Sequence, residues 1–310
     1  MKHIFIINPN AGKGKAYNFI KPKIDTYCIN NNVDYEIIQC SEFRQGKATV
    51  DRLASSGENI RFYACGGDGT LYEIVNGAYG HENVEVTVIP LGSGNDFIRL
   101  FGEKEDFYNL ENLVNGVPVC LDVIKCGDEI AINQCSMGFD AEVCARQASF
   151  KKVPGINGEL AYVASAIYSI SRKVKNTFTV QIDDGEPFTQ DCIFCVGANS
   201  RWYGGGFMAA PKALPDDGLM DMIIVKKKIG RLKLLSLLND YKAGNHLSWD
   251  MTNFVRGKKL KIHSDKPAAV NVDGECSYVN DATFELIEKG ITFVVPKNSP
   301  FLEIRNKDRM

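Results

Sequence analysis

The chain has 310 residues, 45% of them hydrophobic and 24% charged, with a formal net charge of −2. That length is ordinary for two domains and the apolar content can fill a sizeable core, which excludes a disordered or fibrous chain. A charge so close to zero lacks the basic excess of a bulk nucleic-acid binder, and no nucleic-acid partner is expected.

The first apolar run, Ile4 to Ile7, is cut by Asn8-Pro9 and is too short for a secretory leader. No run approaches the ~18 consecutive apolar residues of a spanning helix. The protein is expected in the cytoplasm, soluble or at most peripheral to the inner face of the membrane. Residues 3–8 read as a strand, 14–31 as a helix, 34–40 as a strand and 46–56 as a helix. Residues 60–65 are a third strand. Then Leu71, Ile74, Val75 and Ala78 recur at helical spacing over 70–79, with Thr70 as the N-cap. A fourth strand covers 84–90. This alternation predicts a parallel, doubly wound α/β sheet. After about residue 122 short strand-like runs dominate: 119–125, 129–136, 177–183, 190–198, 219–226, 259–264, 269–273 and 282–287. They predict a mostly antiparallel β domain, interrupted by helices over 157–173 and 230–243.

In the α/β part, three glycine clusters each follow a strand and precede a helix: "NPNAGKG" (8–14), "GGDGT" (66–70) and "GSGND" (92–96). In a doubly wound sheet they lie at the carboxyl ends of the strands, where ligands bind. Amide groups at helix N-termini hold phosphate, and glycine permits its close approach. Three such loops on one edge point to a phosphate ligand. The first is not a Walker A, because Ala16 follows Lys15 where a Ser or Thr would meet Mg²⁺, and none fits the dinucleotide fingerprint. Asp68 among glycines would repel phosphates unless a cation intervened. With Asp96 and Asp122 it could hold Mg²⁺, which takes one or two carboxylates, waters and phosphate oxygens. A bland alternative is that each acid caps a helix.

The β part holds two further clusters. "PKALPDDGLMD" (211–221) packs acids around a glycine, as a surface turn would. "AVNVDGECSY" (269–278) places Asp273-Gly274 as a hairpin turn, followed by Glu275. Ten cysteines lie mostly in apolar runs and read as reduced thiols. Cys192 and Cys195 form a CxxC inside a strand, which would point them to opposite faces. The four histidines are isolated and give no zinc spacing.

"GGDGTLYEIVNG", "PLGSGNDF", "PDDGLMD" and "NVDGE", in that order, resemble the bacterial diacylglycerol-kinase-like lipid kinases, which share a catalytic domain with diacylglycerol and sphingosine kinases. The resemblance covers essentially the whole chain. It implies an N-terminal ATP-binding α/β domain over 1–122, joined by roughly 296–310, and a C-terminal antiparallel β-sandwich over 123–295 forming the lipid side of a cleft. On the nucleotide side it implies Asn8, Pro9, Asn10, Ala11 and Gly12 of the first loop and Ser41 after the second strand. It adds Gly66, Gly67, Asp68, Gly69 and Thr70, with Ser93, Asn95 and Asp96. Asp68, Asp96 and Asp122 match the acids around catalytic Mg²⁺, and Asp217 with the carbonyls of Leu214 and Leu219 matches a second, structural metal site. Glu275 matches the general base, with Asp68 beside it as a catalytic acid residue. Tyr72 departs from the pattern, standing where many members have Asn, while Glu73 is kept.

The expected reaction is transfer of the γ-phosphate of ATP, with Mg²⁺, to a lipid hydroxyl, diacylglycerol first among candidates. Two rivals differ in kind. An NAD kinase shares the GGDGT loop, but "GSGNDF" and "VDGE" fit the lipid kinases better. A nucleotide- or lipid-binding regulator without catalysis would have no need of Glu275. The lipid would be met at the membrane surface. Lys226 to Lys228, with Arg256, Lys258, Lys259 and Lys261, are either solvated or attract anionic headgroups. Members of the family are often dimers, which makes a homodimer a candidate state.

Overall fold

The computed structural model describes residues 1–150, 165, 168–169 and 175–307. The chain divides into two compact units, Met1–Leu121 with Lys289–Met310, and Asp122–Glu288.

In the first unit, β1 (Lys2–Ile7), β2 (Tyr35–Gln39), β3 (Ile60–Gly66) and β4 (Val84–Pro90) form a parallel sheet in the order β2-β1-β3-β4. The order reverses between β1 and β3, the switch point of a doubly wound sheet. β3 is buried along its whole length, which is why it reads as a continuous apolar run. The helix Gln45–Ala54 packs on the helix Asp68–Ala78, and the helix Ala16–Asn30 packs on Leu110–Val114. The chain end returns to this unit: Phe293 registers with Val86 in parallel, and Thr87 Oγ1 donates to the Val294 carbonyl (2.7 Å). Phe301, at the start of the final helix Phe301–Lys307, packs edge-to-face on Phe101 with ring centroids 4.9 Å apart. Burying such a ring contributes roughly 1.5–3 kcal/mol.

The second unit is antiparallel: β6 (Glu129–Ala131), β7 (Gln134–Gly138), β8 (Asn176–Ile182), β9 (Phe188–Ala198), β10 (Met220–Lys226), β11 (Thr252–Gly257) and β12 (Lys259–Val272). β5 (Val117–Cys126) leads in and β13 (Glu275–Val295) leads out. The two ends of β9 pair with different strands, β8 along Phe188–Cys192 and β7 along Phe194–Ala198. β12 does the same, meeting β8 at Leu260–His263 and β7 at Val270–Val272. A long strand whose ends serve two neighbours folds the sheet into a sandwich-like body. Its core gathers Phe139, Phe194, Tyr203, Phe207, Ile223 and Tyr241.

Several expectations need correction. The runs 259–264 and 269–273 are one strand, because a register shift between His263 and Ala268 absorbs Pro267. The run 129–136 is two strands, and β11 carried no signal that was recognised. The helix over 230–243 is two short helices, Arg231–Ser236 and Leu238–Lys242, broken at Leu237. The helix expected over 157–173 lies almost wholly outside the described residues. Thr70 is not an N-cap, because the helix begins at Asp68 with Gly67 in the cap position. Cys192 and Cys195 do not point apart. An irregularity at Val225/Lys226 skips Ile193 in the pairing, which brings the two thiols to one side of the strand.

Candidate active site

In the first unit the loops after β3 and β4 clasp each other. The Gly66 carbonyl accepts from the N–H groups of Leu91 (2.8 Å) and Gly92 (3.0 Å), and the Asp68 N–H donates to the Gly94 carbonyl (3.1 Å). A Cβ on Gly92 would lie 2.4 Å from the Gly67 Cα, and one on Gly67 would lie 2.8 Å from the Gly94 carbonyl oxygen. These two glycines are therefore required by backbone crossing backbone. Gly69 differs, since a Cβ there meets no atom of the described residues within 4 Å. Its side of the helix N-terminus is open, and protein packing gives no reason for glycine at that position.

Asp68 braces the same two loops. Its carboxylate accepts from the Asp96 N–H (3.0 Å) and more weakly from the Phe97 N–H (3.5 Å). Asp96 is buried, and its Oδ1 accepts from Arg99 Nε (3.0 Å). Asn95 Nδ2 donates to the Gly92 carbonyl (2.7 Å), while its buried Oδ1 has no partner among the described residues. Ser93 is exposed.

The first loop joins this edge. Asn8 Oδ1 accepts from the Asn10 N–H (2.9 Å), and Asn8 Nδ2 lies 3.4 Å from Thr70 Oγ1. Asn10 Nδ2 reaches the Ser41 carbonyl (3.5 Å), and the Ser41 N–H donates to Gln45 Oε1 (2.9 Å). Pro9, Ala11 and Gly12 complete the loop, and Gly12 takes a left-handed φ of 58°. Asn8, Asn10, Ser41, Thr70, Asp68 and Asp96 thus lie in connected loops at the carboxyl ends of parallel strands.

Two residues have roles that sequence reasoning missed. Glu73 accepts from the N–H groups of Arg44 (3.0 Å) and Gly46 (2.8 Å), capping the helix Gln45–Ala54. The signal was a retained acid with no assigned work. Tyr72 is 4% exposed, so its ring belongs to the core of its unit.

In the second unit the "PDDG" loop is tied to Asp122. Asp122 donates its N–H to the Pro215 carbonyl (2.7 Å), and its Oδ2 accepts from the Gly218 N–H (2.8 Å). Asp217 Oδ1 accepts from the Leu219 N–H (3.0 Å), and its Oδ2 faces Arg256 Nη1 (3.3 Å). Arg256 Nε also meets Asp221 Oδ1 (2.8 Å), and its Nη2 donates to the Lys212 carbonyl (2.6 Å). Burial raises the Asp217 carboxyl and pushes Asp221 up to about 6, with Arg256 opposing both. Lys258 pairs with Glu288 and Lys259 with Glu285. Arg256, Lys258 and Lys259 of the basic cluster are thus engaged with acids of their own unit, while Lys227 and Lys228 reach the backbone carbonyls of Ile229 and Asp250.

The "NVDGE" segment is a two-residue hairpin: Val272 registers with Glu275, and Asp273 and Gly274 take positive φ of 47° and 107°. The Asp273 carboxylate accepts from Ile132 N–H (2.6 Å), Gln134 N–H (2.7 Å) and Asn133 N–H (3.1 Å), which fixes the turn. Burial pushes Asp273 up to about 6 even so. Glu275, the first residue after the turn, is partly buried. The same unit contains an apolar cavity lined by Phe139, Val143, Phe194, Leu234, Leu238 and Trp249. Asp140 and Tyr241 line it too. Asp140 accepts from Ser136 Oγ (2.6 Å) and from the Tyr203 hydroxyl, which lies 2.9 Å from that of Tyr241.

Among the described residues no three His, Cys, Asp or Glu side chains gather as a metal-holding group. Asp68 and Asp96 suit the lighter demand of Mg²⁺, which uses one or two carboxylates and completes its shell with phosphate oxygens and waters, once Arg99, half exposed and paired with Asp96 Oδ1, turns away. The second metal position suits a cation poorly. Asp217 spends one oxygen on an amide and the other on Arg256, whose fixed positive charge would oppose a divalent ion.

Comparisons with known proteins follow the same division. The Diacylglycerol kinase catalytic domain model matches residues 2–126, and the YegS C-terminal NAD kinase beta sandwich-like domain model matches residues 133–295. A protein of Shewanella frigidimarina named "Probable lipid kinase YegS-like" is 30% identical over 242 residues, covering 76% of this chain and 77% of that one. A crystal structure of a diacylglycerol kinase from Bacillus anthracis superposes with a TM-score of 0.67 at 19% identity, covering 95% and 96% of the two chains. An NAD kinase from Archaeoglobus fulgidus in complex with ATP gives a TM-score of 0.54 at 16% identity, covering 100% and 99%. These two likenesses establish the fold: an N-terminal α/β domain and a C-terminal β-sandwich-like domain. Among the described residues no helix is long and apolar enough to cross a membrane.

Proposed function

This chain belongs to the bacterial diacylglycerol-kinase-like lipid kinase family, and on that premise we propose that it transfers the γ-phosphate of ATP to a lipid hydroxyl, diacylglycerol foremost, with Mg²⁺. The observation that carries the reading is the clasped pair of loops in the first unit, with Gly69 open at the N-terminus of an 11-residue helix. A phosphate chain there meets backbone amides and the positive end of the helix dipole. The apolar cavity of the second unit favours a hydrocarbon-bearing acceptor over a dinucleotide, whose surface is polar and charged. That separates the reading from an NAD kinase, to which the likeness is one of fold.

The residue roles follow. Asn8, Asn10, Ser41 and Thr70 shape the nucleotide edge, with Gly69 giving the phosphates close access and Gly67 holding the crossing of the two loops. Asp68 and Asp96 would hold Mg²⁺, which neutralises charge on the phosphates when bound. Asp68 also keeps the two loops in register through the Asp96 amide, so it positions the site as well as charging it. Glu275 accepts the acceptor's hydroxyl proton as the oxygen attacks phosphorus. The protein would meet its lipid at the membrane surface. Leu232, 86% exposed, lies near Lys226 to Lys228 in the sequence and would enter the headgroup region.

The test is Glu275→Gln. The isosteric amide cannot take up the proton, so turnover should fall by about 10²–10⁴-fold. ATP affinity, set in the other unit, should stay within twofold. Unchanged turnover removes Glu275 from the mechanism.

A further inference from the structure

We propose that Cys144 and Cys276 are a site of reversible disulfide formation that anchors the Glu275 turn to the helix Phe139–Phe150. The two thiols converge on one pair of acceptors. Cys144 Sγ lies 3.6 Å from both the Asn271 side-chain oxygen and the Gly274 carbonyl. Cys276 Sγ lies 4.0 Å and 3.7 Å from the same atoms, so both sulfurs gather around one pair of oxygens. Two sulfurs gathered on the same two oxygens are neighbours that can approach to the ~2.05 Å of a bond. Both residues are partly exposed, within reach of a small oxidant, whereas Cys135, Cys192 and Cys195 of the same unit are buried. The hydrogen bond to Cys144 and then burial hold the Cys276 thiol well above its usual range, leaving Cys144 as the attacking sulfur.

With a hydroperoxide as oxidant the chemistry balances in two steps. The Cys144 thiolate attacks one peroxide oxygen and the O–O bond breaks. With hydrogen peroxide, hydroxide departs with the bonding pair and takes up the thiol's proton as water. Cys276 sulfur then attacks the sulfenic sulfur of Cys144. The S–O bond breaks, and the second hydroxide leaves as water with the Cys276 proton. Two thiols and one peroxide give one disulfide and two waters, the sulfurs losing the two electrons that the peroxide gains.

The bridge would tie down the turn that carries Glu275. This consequence rests on the proposed role of that residue, but the bridge itself does not. The experiment treats the reduced full-length chain with stoichiometric hydrogen peroxide and maps its peptides without reduction. The expected result is a linked pair containing Cys144 and Cys276, two fewer titratable thiols, and full recovery with a dithiol reductant. Cys144→Ser should give no such pair. Oxidation that instead accumulates at the exposed Cys120 or as intermolecular links overturns the proposal. In parallel, ATP-dependent phosphate transfer by the bridged chain should fall at least tenfold, with ATP affinity unchanged and Cys144→Ser resistant. A bridged chain as active as the reduced one overturns the anchoring effect. A reduced chain with no transfer at all refutes the proposed function, while the peptide map still decides the bridge.

Discussion

Gly69→Ala separates a glycine kept for a ligand from one kept for packing. A Cβ at Gly69 meets no atom of the described residues within 4 Å, and the position is helical, so the folded chain should accept it. Alanine replaces glycine in helices with a gain of roughly 0.5–1 kcal/mol, less at a first turn, so the melting temperature should hold or rise slightly. The new methyl would stand where a phosphate reaches the backbone. Losing one charge-assisted amide–phosphate hydrogen bond costs about 1.5–3 kcal/mol. At about 1.4 kcal/mol per factor of ten, ATP should bind about 10- to 100-fold more weakly. Gly92→Ala is the contrast: with its Cβ 2.4 Å from the Gly67 Cα, it should destabilise the fold by roughly 1–3 kcal/mol as well. Isothermal titration with ATP and thermal melts of both variants supply the data. Wild-type ATP affinity in Gly69→Ala, or a melting loss matching that of Gly92→Ala, would refute the reasoning.

Arg256→Ala should cost roughly 2–4 kcal/mol, somewhat below a fully buried pair because Arg256 is a third exposed, since it strands Asp217 and Asp221. Without nucleotide, Mg²⁺ or Ca²⁺ should raise stability against urea more in the variant than in the wild type, in which Arg256 occupies the second position; an equal gain in the two proteins contradicts this. His246 is buried and its pKa is lowered to about 4 from 6.5 by burial. Between those values the folded chain binds fewer protons than the unfolded one. Its contribution to stability is therefore complete above pH 6.5 and lost as pH falls toward 4, by up to about 1.4 kcal/mol per unit. His246→Gln should show a shallower stability loss between pH 7 and pH 5, and equal slopes in the two proteins would count against it. Binding to anionic vesicles should weaken as salt rises, an effect confined to the lysines at 226–228 if the ion pairs of Lys258 and Lys259 persist; salt-insensitive binding would exclude the electrostatic reading.

The parallel sheet was legible because β1, β3 and β4 are largely buried apolar runs that end at or near glycine or proline, while β2 is a partly exposed edge strand. Strand 84–90 matches β4 residue for residue. The hairpin at Asp273-Gly274 was legible for a local reason, since a two-residue turn with positive φ favours that pair. What escaped depends on partners distant in sequence. Thr70 looked like a cap, but Asp68 starts the helix because its side chain is held by Asp96, 28 residues later. Glu73 caps a helix from 27 residues downstream. Alternation placed Cys192 and Cys195 on opposite faces, and an irregularity imposed by the neighbouring strand brought them together. Pro267 looked like a strand end, yet β12 runs past it with a register shift. Of the candidate site, the residue types and their loops could be read from the motifs. The division of labour among the glycines, two for packing and one open, required the coordinates.

The most direct measurement is transfer of labelled γ-phosphate from ATP, with Mg²⁺, to a panel of lipid alcohols in mixed micelles, with NAD beside them and Glu275→Gln as the blank. The account predicts label on a lipid, diacylglycerol first, that disappears in the blank. Label on NAD, or on no acceptor at all, would contradict it.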